Sequence, residues 1–179
     1  EVSGLLRHLL VPETMSLGFS AEYEWKQNWF VQLEAGWNDI QVVRPSHEYE
    51  SGGLFFRLGA DYNLLQRNTR DKALLSVRYG YGKLWHQAPY ILIEDPYWGN
   101  MSSFVAEEAI AAHWLEFGGG LTAQVAGNFF LGWSLRAKWL IGTSGSQVMK
   151  PYYISGYGKN SSKLIVALHY SVYYSFPLK

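Results

Sequence analysis

The chain has 179 residues, enough for one domain spanning 1–179, with 15 basic and 15 acidic side chains and a formal net charge of zero. That balance carries no electrostatic footprint for nucleic acid. The absence of Cys excludes a disulfide framework and a thiolate metal site, and no apolar run approaches the roughly 20 residues of a transmembrane helix.

Alternation of period 2 organises the chain. The opening GLLRHLLV (4–11) is read as a strand, although Arg7 and His8 stand side by side and spoil its pattern. LGFSAEYEW (17–25) then sets Leu17, Phe19, Ala21, Tyr23 and Trp25 on one face and Glu22 and Glu24 on the other. A short turn, KQN, leads to WFVQLEAGWN (29–38), with Trp29, Val31, Leu33, Ala35 and Trp37 opposite Gln32 and Glu34. A second hairpin joins LFFRLGADYNLL (54–65) to ALLSVRYGYGKL (73–84). A third joins WLEFGGGLTAQV (114–125) to FFLGWSLRAKWLI (129–141). The closing KLIVALHYSVYYSFPLK (163–179) alternates Leu164, Val166, Leu168, Tyr170, Val172, Tyr174 and Phe176 with smaller or polar residues. Eight strands result. The connections near 26–28, 65–71 and 126–128 are short. Those near 38–52, 84–112 and 142–162 read as long loops, and VAEEAIAAHW (105–114) as a possible helical turn within one of them. Short turns at one end and long loops at the other are the layout of an outer-membrane barrel.

Volume decides which way the apolar face points. An eight-stranded barrel is just wide enough inside to be filled by side chains. It cannot hold this many Trp, Tyr, Phe and Leu residues, whereas the opposite face is rich in Gly and Ser. The expected fold is therefore an all-β, eight-stranded antiparallel up-and-down transmembrane barrel with a filled polar lumen. Its lumen receives Glu22, Glu24, Glu34, Asp61 and Glu116 against Arg57, Arg78, Arg136 and Lys138, with His169 nearby. Unpaired, each buried charge would cost several kcal/mol, so the balance predicts an ion-pair network. Trp25, Trp29, Tyr62, Phe129, Tyr174 and Phe176 are expected at the short-turn rim, and Trp37, Tyr81 and Trp139 at the other. Together they form two interface girdles. A soluble lipocalin-like carrier is the inside-out alternative.

Four stretches, GGLFFRLGADYNLL, LLSVRYGYGKL, AHWLEFGGGL and NFFLGWSLRAKWLI, resemble in their order a family of small outer-membrane proteins of Bacteroidota, catalogued as a domain of unknown function (DUF6048). The resemblance runs from about Gly4 to Lys179 and is loosest over GLLRHLLVP. It implies a Gram-negative outer membrane and contact with outer-membrane lipid and lipopolysaccharide, and it brings no catalytic residues with it. By analogy with the large machines of such membranes it implies a non-enzymatic accessory subunit beside other barrels and lipoproteins, as in barrel assembly or surface-lipoprotein export. The chain begins Glu1-Val2 and is read as processed or trimmed, with any export signal upstream. Phe176 near the end of the last strand resembles the C-terminal assembly signal of such barrels.

The remaining chemistry is sparse. His169 and Ser171 share a face of the last strand and are the residues a lipid A-modifying enzyme would use, with a lumenal Glu orienting the His. Lipid, however, would not reach a lumen-facing pair. The five His residues are scattered, and Ser51 stands where a His-Glu-x-x-His motif beginning at His47 needs its second His, so no metal or other cofactor is expected. APYILIEDPYWGNM (88–101) is unusually apolar for a loop facing water. Pro89, Tyr90, Ile91, Tyr97 and Trp98 are its candidate partner contacts. A stand-alone surface receptor or adhesion barrel would use the same loops.

Overall fold

The computed structural model describes residues 14–65, 70–97, 99–145 and 149–176. The chain is all-β, with no helix among the described residues. Seven strands form one antiparallel sheet: β1 (Thr14–Lys26), β2 (Trp29–Arg44), β3 (His47–Asn63), β4 (Lys72–Asp95), β5 (Gly99–Ala126), β6 (Phe129–Ser144) and β9 (Leu164–Tyr174). Between β6 and β9 a small hairpin, β7 (Tyr153–Ile154) and β8 (Gly158–Lys159), makes a separate two-stranded sheet. Sequential strands pair throughout, as in an up-and-down meander. β1 and β9 are the edges. The expected first strand, 4–11, lies outside the described residues, and the sheet observed is a curled half-barrel of seven strands rather than a closed ring of eight. It curls far enough for Glu34 on β2 to reach Arg136 on β6, at 3.0 Å.

The tight turns follow local chemistry. Lys26 pairs with Trp29 across Gln27 and Asn28, and Asn28 takes the left-handed conformation (φ 66°) that Asn tolerates better than most residues. Gly127 (φ 55°) and Asn128 close the β5–β6 turn.

The two longest expected loops are corrected. Residues 38–52 and 84–112 are mostly strand: β2 and β3 run on to a turn at Pro45 and Ser46, and β4 runs on to a turn at Pro96 and Tyr97 ahead of β5. The expected helical turn at 105–114 is part of β5. Bulges between His86 and Ala88, and between Ala88 and Ile91, shift the phase of the alternation and hide the strand. At roughly 3.3 Å per residue, residues 83–95 carry β4 about 40 Å beyond Gly82.

The expected loop at 142–162 is corrected differently. Residues 142–144 belong to β6, and 149–162 fold back toward the sheet's concave side, with Tyr152 and Lys159 left exposed. Ile154 and Tyr157 are buried there with Phe55, Leu84, Ile110, Ala112 and Trp114, the one apolar core cluster among the described residues. Gly80 makes room for this cluster, because a Cβ at that position would lie 2.2 Å from the Trp114 indole.

Candidate functional site

The sheet's two faces are inverted relative to a soluble protein. On the convex side Leu33, Leu54, Leu58, Val77, Phe117, Leu131, Trp133, Leu135, Val166 and Leu168 are all exposed. On the concave side Glu34, Arg57, Asp61, Arg78, Glu116, Arg136 and Lys138 are buried. A strand such as β2 shows both at once, alternating exposed and buried residues from Trp29 to Gln41.

The buried charges form a continuous lattice. Glu34 Oε2 accepts from Arg57 Nη1 at 2.5 Å and from Arg136 Nη1 at 3.0 Å, and Oε1 is ion-paired with Arg136 Nη2 at 3.0 Å and Arg78 Nε at 3.4 Å. Glu116 faces Arg57 Nε at 3.0 Å, Arg136 at 3.5 Å and Lys138 at 3.8 Å, and accepts from the Trp114 indole N–H at 2.7 Å. Arg78 donates to Asp61 at 2.9 Å and also to Gln32. Four cations thus share three carboxylates. The Gly156 carbonyl, at the tip of the inserted hairpin, meets the excess: it accepts from Arg57 Nη2 at 2.7 Å and from Lys138 Nζ at 2.8 Å. Gly156 has φ 76°, a conformation costly for any other residue, and a Cβ there would lie 2.6 Å from the Phe55 side chain. Hydrogen-bonded pairing of this kind offsets the desolvation of buried charge.

The structure therefore brings together seven of the ten residues read as the network. Glu22 sits apart and pairs with Lys72. Glu24, in register with the inward-facing Phe30 near the end of the edge strand β1, is exposed and makes no ion pair among the described residues. His169 and Ser171 are buried on the concave face, opposite Ser134 and Gly132 in register and turned from the convex surface. The sequence reading missed Gln32, Lys72, Trp114 and the Gly156 carbonyl. The parity of Gln32 and Trp114 places both on the inward face. Nothing local in the sequence marks a backbone carbonyl as a partner for two cations.

At the mouth, beyond this lattice, polar contacts are fewer. Tyr49 packs between His86 and Tyr152, each ring pair at 6.0 Å, and its hydroxyl accepts from the Tyr152 N–H at 3.2 Å. Glu108 accepts from the Met149 N–H at 3.4 Å and stands 3.7 Å from His86 Nε2. Burial raises the Tyr49 pKa and lowers that of His86, the latter partly offset by the Glu108 charge. Side-chain polar atoms of Asn38, Ser51, Ser155 and both ring nitrogens of His86 are buried here without a protein hydrogen-bond partner.

Of the aromatics assigned to girdles, Trp25, Trp29, Trp37, Tyr81, Phe129, Trp139, Tyr174 and Phe176 are exposed on the convex side. Tyr62 is half-buried and packs on Trp29 at 5.0 Å. Phe129, Tyr174 and Phe176 form a chain of rings at 5.1 and 4.7 Å. Outward-facing Asp39 follows Trp37 on β2, and Lys83 follows Tyr81 on β4, so the apolar belt ends there. Of the expected partner contacts, Pro89, Tyr90 and Tyr97 are exposed on the β4–β5 hairpin and Ile91 is half-buried. Trp98 lies outside the described residues.

No group of three or more His, Asp or Glu residues suited to a metal occurs among the described residues. What the arrangement does chemically is hold paired charge on the concave side and present an apolar convex surface.

The sequence model of a family described as a domain of unknown function (DUF6048) matches residues 1–179. No curated protein and no solved structure matches the chain. With the match covering its whole length, this chain belongs to the DUF6048 family.

Proposed function

We propose that the chain is an integral outer-membrane β-barrel of a Gram-negative bacterium. In this reading it is closed with eight strands, the eighth being the one the sequence places at 4–11. It acts as a non-enzymatic accessory subunit of a multiprotein outer-membrane complex. The observation that carries the membrane reading is the inversion of the sheet: large apolar side chains exposed on the convex face, a paired charge lattice buried on the concave one. In water the exposed belt would be an aggregation surface. In hydrocarbon it is the favoured one. Rings at both ends of the belt suit the two membrane interfaces.

The subunit reading rests on what the barrel lacks and what it carries. The lumen is filled by the lattice and the inserted hairpin, which argues against a pore. The β2–β3 and β4–β5 extensions project beyond the belt and carry exposed Val43, Tyr90, Ile93, Tyr97, Met101 and Phe104, a surface suited to a protein partner. A lipid A-modifying activity of His169 and Ser171 is disfavoured by their inward burial.

A pull-down of the tagged chain from native outer membranes in mild detergent tests the proposal. A stoichiometric set containing a large barrel and lipoproteins supports it, and the barrel's identity names the process. Recovery of the chain alone removes the subunit reading and turns attention to the extensions as a receptor surface.

A further inference from the structure

The inserted hairpin is fastened at two levels. At its tip Gly156 is pinned by Arg57 and Lys138, both themselves ion-paired. At its entry two backbone N–H groups hold it to the mouth wall: Met149 to Glu108 at 3.4 Å and Tyr152 to the Tyr49 hydroxyl at 3.2 Å. His86 touches both acceptors. Its ring is 6.0 Å from that of Tyr49, and its Nε2 is 3.7 Å from the Glu108 carboxylate, too far for a hydrogen bond. The side chain is fully buried and neither ring nitrogen has a protein hydrogen-bond partner.

We propose that His86 is a pH-sensitive latch: protonation of its ring pulls Glu108 away from Met149, perturbs Tyr49, and releases the hairpin's entry segment from the mouth while Gly156 stays pinned. Among the described residues the carboxylate within reach of a charge on His86 is that of Glu108, which Met149 already engages. The two roles compete, because a hydrogen bond to a charged imidazole is stronger than one to a neutral amide. Among the described residues the titratable groups facing His86 are Tyr49 from β3 and Glu108 from β5. Glu50 is taken up by Gln41 and Gln87, and Glu107 is exposed. Burial already holds the ring toward its neutral form, with its pKa below the ordinary value of 6.5. The folded mouth therefore binds fewer protons than the unlatched one. The latch is intact above about pH 6.5, and its stability falls as pH drops through that value toward the lowered folded pKa.

Amide hydrogen exchange of the full chain in detergent micelles, corrected for intrinsic rates, tests this between about pH 7.5 and about pH 5.5. Protection of the Met149 and Tyr152 amides is expected to fall by about tenfold on acidification, and that of strand amides flanking Glu34 to stay constant. In His86→Gln and His86→Phe the pH response disappears; the pair separates loss of the titrating ring from a change in packing. Unchanged protection in the wild-type protein overturns the latch. So does an equal pH response in His86→Gln, which would place the titrating group elsewhere.

Discussion

The deep part of the sheet's concave face and its mouth are built by different means. Around Glu34 and Glu116 the concave face is a lattice of paired charges drawn from β2, β3, β4, β5 and β6. At the mouth the same face is apolar and aromatic, with Trp114, Tyr157, Phe55 and Ile154 packed together and several polar atoms left to themselves. Charges hold position by specific geometry and fail steeply when one member is lost. Packing fails in proportion to the atoms removed. The deep part is thus suited to fixing the shape of the sheet, and the mouth to holding the inserted hairpin.

Changing residues on either side separates the two. Glu34→Ala should have the largest effect. It strips three guanidinium groups of their shared carboxylate, a loss of about 3–5 kcal/mol, read as a collapse of the urea midpoint in micelles. Leu168→Arg places a charge in the middle of the convex belt. In a bilayer it should cost about 2–4 kcal/mol, whereas the same change on a water-facing sheet should cost almost nothing. Gly156→Ala forces a side chain into φ 76° against Phe55 and should cost about 1–3 kcal/mol. Its loss should appear as faster exchange in the hairpin, such as the Asn160 amide bonded to the Tyr152 carbonyl, with the lattice strands unaffected. Lys72→Ala removes a half-buried pair with Glu22 near the turn end and should change the midpoint by less than about 1 kcal/mol.

The parity of the strands could be read from the sequence because two signals agreed. Apolar residues recurred every second position, and the residues between them carried balanced charge. Neither signal survives in the extensions. Pro89 and two bulges break the phase of β4, so residues 84–95 looked like loop although they pair with β5 as far as Asp95 and Gly99. The inserted hairpin was hidden for another reason. PYYISGYGKN has the Gly, Ser and Tyr content of a surface loop, and its burial is set by the mouth it fills rather than by its own pattern. Ile154 and Tyr157 were the local hint, three residues apart with no solvent-facing role. The charge lattice was legible as a set of inward residues, but not its pairing. Which acid meets which base depends on how the sheet curls, and this brings β2 to β6, four strands apart in the sheet order.

The central claim is that the convex face meets lipid. The chain has no Cys, so single cysteines introduced at Val166, Ala167 and Leu168 on β9 can be spin-labelled without background. In reconstituted bilayers the account predicts that labels at 166 and 168 collide readily with oxygen and hardly at all with a water-soluble nickel chelate, and that the label at 167 shows neither preference for lipid nor free access to it. Ready collision of the nickel chelate at 166 and 168 would contradict it, since the belt would then face water.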